Sequence, residues 1–235
     1  MSIDVIFLGL DGVLFDTEAL HLTACNAAFA EAELSLRWTL PALRAAAATH
    51  GYANAITAAV AAVAGAGLRD KAAVAALHAA KHRQFQLAVA ANPPKASPAA
   101  QALIEDALAA GCKLAVLSDL PSPVAAALLE RCFGADVNSL FAVVAGGVSF
   151  DDQAGPGPFG HALHAMGIEA QAAIAIDTVA PALKAAQQSG LWTVSVAPYG
   201  ADVVRPQQFI TFDALRELRT SPFTANPQEA DSLAA

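Results

Sequence analysis

Three aspartates in this sequence follow directly on short apolar runs, as residues do when a strand delivers them to the rim of a sheet. Asp11 comes after "VIFLGL", Ser118-Asp119 after "KLAVL", and Asp177 after "AAIAI". The carboxyl ends of parallel strands meet at one edge, where ligands bind. A single such carboxylate is more often a turn or cap residue, but together with the loop after Gly147 these strand ends predict one shared polar crevice. Carboxylates there are suited to nucleophilic attack, to acid–base work or to binding Mg²⁺.

The elements that must position these residues alternate between strand and helix. Apolar, β-branched runs predict strands over residues 3–10, 113–119, 141–147, 172–177 and 191–196, and a possible edge strand over 209–212. Helical patterns lie between them, near 98–110, 123–132, 158–166 and 180–189. From Thr17 to about Ala91 the pattern is helical only, with helices near 17–33, 41–48, 52–64 and 70–91.

This order predicts an α/β protein with a Rossmann-like parallel sheet. The core would comprise residues 1–16 and 93–220, the inserted helices of 17–92 would form a helical cap, and the polar tail 221–235 would be disordered. The segment "NPPKASP" is predicted to link the cap back to the core.

Composition narrows the class of protein. The chain has 235 residues, of which 56% are hydrophobic and 14% charged, and its formal net charge is −8. An acidic chain without a basic cluster argues against a nucleic-acid partner and against an anionic membrane surface. The three cysteines are scattered and form no C-x-x-C pair, which is typical of reduced thiols. We therefore expect a cytoplasmic protein without a membrane span.

The stretch "LDGVLFDTEALH" resembles the haloacid dehalogenase superfamily of phosphatases and phosphomutases, supported by "NAAFAEAEL", "LHAAKHRQF" and "SPVAAALLERCFG". Within it, the chain is most similar to the phosphoglycolate phosphatase and β-phosphoglucomutase branch, and there to the CbbY type of sugar-bisphosphate phosphatase. The resemblance implies a nucleophilic Asp, a second Asp as general acid and base, and a Ser or Thr and a Lys that hold phosphate. It also implies two later acids that help to bind Mg²⁺.

Carried over position by position, the resemblance is incomplete. Asp11 matches the acid/base position and Ser118 the phosphate-holding hydroxyl, whereas Gly9 stands at the nucleophile position. Asp177 matches one metal-binding acid, but Ile176 stands where the other is expected. The phosphate-binding Lys is replaced by Gly155 in "AGPGP", and Arg131 is the one Lys or Arg between residues 114 and 183.

The cap positions depart from the family pattern as well. Glu18 and His21 match a "TE-x-x-H" pattern and are candidates to face the cleft, although a first-turn Glu is favoured on any helix. Arg37 is a weaker candidate for an anion contact. The segment "THGYANAI" corresponds to a basic loop that grips a distal phosphate, yet it contains no Lys or Arg.

These losses predict a pseudo-phosphatase that binds a small phosphorylated metabolite or a protein partner. With Asp177 as the one matched metal-binding carboxylate left, Mg²⁺ is possible but is predicted to bind weakly. The alternative is an active hydrolase of a small phosphorylated sugar with a non-standard nucleophile, for which Asp11 is one candidate. A third reading is a generic α/β protein that never carried this chemistry.

Overall fold

In the part of the chain that the structure describes, the sheet has five parallel strands, as the alternating pattern predicts. The computed structural model describes residues 2–63, 71–134, 137–150, 155–196 and 211–220. Its strands are β1 (Val5–Leu8), β2 (Lys113–Leu117), β3 (Val143–Ala145), β4 (Ala173–Asp177) and β5 (Trp192–Ser195). They lie in the order β3-β2-β1-β4-β5. Val5 of the central strand is in register with Lys113 on one side and Ala173 on the other. This arrangement confirms the α/β class and the Rossmann-like core.

Helices precede and follow each of the later strands. Those of the inserted segment are α1 (Glu18–Glu31), α2 (Leu40–Asn54), α3 (Ile56–Val63) and α4 (Lys71–Ala91). Those that accompany the sheet are α5 (Pro98–Ala109), α6 (Ser122–Phe133), α7 (Val137–Leu140), α8 (Gly157–Met166), α9 (Ala180–Gln188) and α10 (Phe212–Thr220).

Both faces of the sheet are covered because successive side chains of a strand point to opposite faces. In β1, Ile6 and Leu8 belong to one buried apolar cluster, which continues into α5, α6 and α10. Val5 and Phe7 belong to another, which continues into α8 and α9. The sheet is thereby held rigidly, and its carboxyl-terminal edge is the part left open to a ligand.

The helices α1–α4 have an apolar cluster of their own. It joins Cys25 and Phe29 of α1, Leu43 of α2, Ile56 of α3 and Leu77 of α4. A unit of this kind is what the predicted cap requires, and its predicted bounds, 17–92, stay a prediction. None of the helices in the described ranges is long and apolar enough to cross a bilayer.

The predicted edge strand over residues 209–212 is wrong at the two of its residues that the structure describes. Residues 209–210 of the proposed edge strand lie outside the described residues, but Thr211 is not in a strand and Phe212 begins α10. The Thr211 hydroxyl accepts a hydrogen bond from the Ala214 amide at 3.1 Å, which is a helix cap. Strands predicted over 3–10 and 141–147 are also shorter, at Val5–Leu8 and Val143–Ala145. The predicted disordered tail lies outside the described residues.

Candidate active site

The predicted strand ends meet at one crevice between the sheet edge and the helices α2 and α3. It has a volume of about 430 Å³. Its lining includes Asp11, Ser118, Asp119, Gly147 and Asp177. The opposite wall is formed by polar residues of the inserted helices, among them Thr49, His50, Asn54 and Thr57. The structure thus brings together all the strand-end residues that the sequence singled out, and we call Asp11, Asp119 and Asp177 the acid floor.

Gly9 is the position where the floor differs most from the family pattern. A Cβ placed on Gly9 would lie 2.7 Å from Oδ2 and 2.8 Å from Cγ of Asp177. The Asp177 carboxylate therefore occupies the space that a side chain at residue 9 would need. Its Oδ1 also accepts hydrogen bonds from the amides of Thr178 at 2.7 Å and Val179 at 2.9 Å. The absence of a side chain at residue 9 and the position of Asp177 are thus coupled.

Asp11 is held from behind by two residues at the start of the inserted helices. Its Oδ1 accepts a hydrogen bond from the Thr17 hydroxyl at 2.5 Å and lies 3.0 Å from Nε2 of His21. Burial would raise the pKa of Asp11, but the charge and hydrogen bond of His21 and the hydroxyl of Thr17 outweigh it, so the pKa lies below its usual value. Asp11 is therefore an ionised carboxylate with one oxygen fixed.

His21 is part of a closed interior layer and does not line the crevice. Its ring stacks on Phe85 with centroids 4.2 Å apart and on Tyr52 at 5.4 Å. Burial lowers its pKa to about 4, so the imidazole is neutral at pH 7. Neutral His21 donates from Nε2 to Asp11, which leaves its buried Nδ1 without a hydrogen-bond partner in the described part of the chain. The role this supports is positioning of Asp11.

Lys81 is a residue that the sequence reading missed. It lies on α4, is fully buried, and its Nζ donates to the carbonyls of Tyr52 and Ala53 at 2.9 Å each. These carbonyls belong to the last turn of α2, whose C-terminal carbonyls lack helical partners and favour a cation. Burial lowers the pKa of Lys81, while Cys25, Asp119 and Asp11 act against that shift. His82, the next residue of α4, is half-buried, and burial and the charge of Lys81 lower its pKa to about 4. We call Lys81, His21 and His82 the inner layer.

Asp119 lies where α2 meets the sheet edge. Gly51 has a φ of +74° and breaks α2 there, and a Cβ on Gly51 would collide with Asp119 Oδ2. Burial and the charge of Asp11 raise the pKa of Asp119 to about 7, and burial raises that of Asp177 to about 7 as well. Two of the three floor carboxyls therefore titrate near neutrality.

Of the remaining predicted site residues, Ser118 lines the crevice, whereas Glu18 and Gly155 do not. The Ser118 Oγ accepts from the Leu120 amide at 3.1 Å, which leaves the hydroxyl proton for a ligand. Glu18 is buried against Arg44, with Nη2 2.7 Å from Oε2, and accepts from the Tyr52 hydroxyl at 2.6 Å. Gly155 is exposed, with a φ of +132° and open space around its Cα.

The described residues fit Mg²⁺ poorly. No cluster of three or more His, Cys, Asp or Glu side chains in the described ranges is arranged to hold a metal ion. Asp177 Oδ1 is already engaged by two backbone amides. Mg²⁺ requires near-octahedral oxygen ligands and loses its water reluctantly. Weak Mg²⁺ binding remains a prediction.

Comparison with known proteins agrees with the fold. Residues 3–190 match the profile of the haloacid dehalogenase-like hydrolases. The chain belongs to this family. "Protein CbbY, plasmid" from Cupriavidus necator is 31% identical over 189 residues, which cover 79% of this chain and 74% of that protein.

Solved structures of this family have the same architecture. A mutant of CbbY from Rhodobacter sphaeroides in complex with xylulose-(1,5)bisphosphate has a TM-score of 0.70 and 26% identity, covering 85% of this chain and 92% of that one. A putative phosphoglycolate phosphatase from Lactobacillus delbrueckii, with a TM-score of 0.66, 19% identity and 92% of both chains covered, shares the fold. The named branch is therefore confirmed, and the chain is a CbbY-like member of a phosphatase-containing family.

Proposed function

We propose that this family member binds a small metabolite in the crevice without hydrolysing phosphate esters through an aspartyl-phosphate intermediate. One observation carries the proposal: residue 9 has no carboxylate, and Asp177 Oδ2 lies 2.7 Å from where its Cβ would be. A nucleophile at this position would have to displace Asp177 from its hydrogen bonds with Thr178 and Val179.

The charge around the crevice supports the same proposal. Phosphoryl transfer spreads negative charge over the phosphoryl oxygens, and fixed cations or donors must offset it. The described lining contains the three aspartates of the acid floor and neither Lys nor Arg. Lys81 is buried behind the floor, and its ammonium group is taken up by two backbone carbonyls. Ser118 is then the matched phosphate-holding group that remains.

A second candidate function is hydrolysis with Asp11 as the nucleophile. It is favoured by the floor's electrostatics, because Asp11 is ionised while burial raises the pKa of nearby Asp119 to about 7. Two carboxyl groups with separated pKa values are the usual arrangement for a nucleophile and a general acid. Against it, Thr17 and His21 already hold one oxygen of Asp11.

The metabolite and the location of the protein are further parts of the proposal. Xylulose bisphosphate, which a related structure holds, makes a phosphorylated sugar the first candidate suggested by relatives. A protein partner is the other predicted occupant. The cytoplasmic location remains a prediction.

Phosphate release with Mg²⁺ separates the two functions. Wild type, Asp11→Asn and Asp106→Asn are compared on p-nitrophenyl phosphate and on xylulose 1,5-bisphosphate; Asp106 is an exposed residue of α5 and serves as the matched control. We expect all three proteins to release phosphate at the same background rate. Turnover by wild type and Asp106→Asn that disappears in a folded Asp11→Asn protein would establish the second function and overturn the first.

A further inference from the structure

The floor of the crevice consists of acidic side chains. Asp11, Asp119 and Asp177 line it, and the described lining offers no Lys or Arg to compensate them. The sequence around the crevice is likewise poor in positively charged residues. Between residues 114 and 183 the one Lys or Arg is Arg131, which lies in α6, and between residues 45 and 68 there is none.

The floor also has an unused acceptor. Asp11 is 7% exposed, and both of its described side-chain hydrogen bonds, from Thr17 and His21, go to Oδ1. Oδ2 has no hydrogen-bond partner among the described residues, although Asp11 lines the cavity. Among the described residues, the fully buried polar side-chain atoms without a partner are His21 Nδ1 and His82 Nε2, so Oδ2 is accessible from the cavity. It can therefore accept a hydrogen bond from a ligand that enters the crevice.

The charged and titratable groups around the crevice do not compensate the three floor aspartates. Lys81 offsets part of the floor's charge, but it is buried in the inner layer and does not line the cavity. His21 behind Asp11 is neutral, with a pKa lowered to about 4 by burial. His50 is the imidazole on the wall facing the floor, among the lining residues that the structure describes. One ammonium against three carboxylates leaves the floor negative once the acids ionise.

Size and wall chemistry indicate an organic cation and not a metal ion. In the described part of the chain, no three ligating side chains converge on a point that a metal could occupy. The cavity, at about 430 Å³, has the volume of a small-molecule site. The wall opposite the floor presents Thr49, Asn54 and Thr57, which are neutral groups that bind hydroxyls.

We propose that the ligand of this crevice is a small hydroxylated amine, such as an amino sugar or amino alcohol. Its ammonium group would bind Asp11 and Asp119, and its hydroxyls would face Thr49, Asn54 and Thr57. This inference rests on the proposed function, in which the crevice binds a metabolite without turning over phosphate. It differs from the phosphorylated sugar of the related structure in the sign of the ligand's charge.

Calorimetric titration with three sugars of one scaffold tests the sign of that charge. D-glucosamine, D-glucose and D-glucose 6-phosphate are each titrated at pH 7, with ethanolamine as a second amine. We expect an amine to bind and D-glucose and its 6-phosphate to bind at least roughly tenfold more weakly, because a charge-assisted hydrogen bond is lost or replaced by repulsion. Asp119→Asn should weaken amine binding by roughly tenfold, whereas the exposed Asp106→Asn should leave it unchanged.

Three results would overturn the inference. They are preferential binding of D-glucose 6-phosphate, equal amine affinity in Asp119→Asn and wild type, and failure of both amines to bind in the millimolar range. None of them depends on turnover, so the proposed function would survive each. Conversely, phosphate release that requires Asp11 would refute the proposed function whichever sugar binds.

Discussion

The acidic groups on the crevice side of Asp11 and the basic groups on its inner side have pKa values shifted in opposite directions. On the crevice side, burial raises the pKa values of Asp119 and Asp177 to about 7 each. On the inner side, burial lowers the pKa values of Lys81, His21 and His82, the last two to about 4. The same desolvation acts on both, since it disfavours whichever form is charged. The chain therefore has a cation near its site, but Lys81 is buried where a ligand in the crevice cannot reach it.

The largest expected effect follows from removing that cation. Lys81→Met would leave the Tyr52 and Ala53 carbonyls without their donor and the acid floor without its nearest counter-charge. Breaking such a buried polar arrangement typically costs about 3–5 kcal/mol. We expect this loss in the free energy of unfolding, measured by urea denaturation.

The matched control for Lys81 is Lys71, an exposed residue at the start of the same helix. Lys71→Met should change stability by less than about 0.5 kcal/mol. Equal effects of the two substitutions would show that the inner layer has no special energetic role.

Restoring a lysine at the family's phosphate-binding position should have the next largest effect. Gly9→Asp alone would supply a nucleophile but not the missing lysine, and we expect its phosphate release to stay near background. Adding Gly155→Lys should raise kcat/KM by about 10², the usual value of one preorganised donor. Gly155 has open space around it, although its φ of +132° makes a side chain there strained.

A matched variant separates a local effect of this lysine from a general effect of charge. Gly167 is likewise exposed, with a positive φ of +66° and open space, but it lies at the end of α8. Gly9→Asp with Gly167→Lys should show no gain. Equal rates in the two double variants would mean that Gly155 is not the lysine position.

A smaller effect tests the coupling between Gly9 and Asp177. In Gly9→Ala the new Cβ would push the Asp177 carboxylate away from the Thr178 and Val179 amides. We expect a loss of about 1–3 kcal/mol in unfolding free energy from hydrogen bonds and overpacking. Replacing a glycine by alanine also stabilises the fold by about 0.5–1 kcal/mol, because glycine loses more conformational entropy on folding, and this offsets part of the loss.

A double-mutant cycle isolates this coupling. In the Asp177→Ala background the steric conflict is gone, so Gly9→Ala should be neutral or stabilising. If Gly9→Ala costs the same with and without the Asp177 carboxylate, the two residues are not coupled.

The sheet could be predicted from the sequence because each strand is a short apolar run that ends in a polar residue. The same logic failed at Phe212, where four apolar or β-branched residues suggested an edge strand. The helix signal was present there, since Thr211 caps the segment and Phe212 and Leu215 are buried three residues apart. Only the first residues of this helix overlap the apolar run, so the run was interpreted as a strand.

The site was predicted only on its crevice side. The strand-end acids converge because parallel strands place them at one edge. Lys81 could not be found in this way, because it does not follow a strand. Its spacing of four from Leu77 and from Phe85 places it on the buried face of α4, which the helical period could have indicated. Its binding partners, the Tyr52 and Ala53 carbonyls, are distant in sequence and are visible only in the structure. The turn of Asp177 toward Gly9 is likewise visible only when the two strands are side by side.

The smallest effect is a dependence of stability on pH, to which the inner layer and the acid floor contribute with opposite signs. Between pH 4 and 6.5 an unfolded chain protonates its histidines, whereas folded His21 and His82 stay neutral, so these residues make the protein less stable as the pH falls. Asp119 and Asp177 do the reverse from about pH 7 down to 4, because the folded chain takes up their protons first. The opposing slopes largely cancel in wild type.

Removing one titratable residue from the acid floor or from the inner layer should therefore reveal the pH dependence of stability that the other group produces. Asp119→Asn should make the unfolding free energy fall more steeply between pH 6 and 5 than in wild type, and His82→Gln should make it fall less or rise. Each slope should change by up to about 1.4 kcal/mol per pH unit, the value for one proton. Urea denaturation at several pH values measures it, with Asp106→Asn as the exposed control. Shifts of the same sign in both variants would mean that the two regions do not hold opposite protonation preferences, and the contrast across Asp11 would fail.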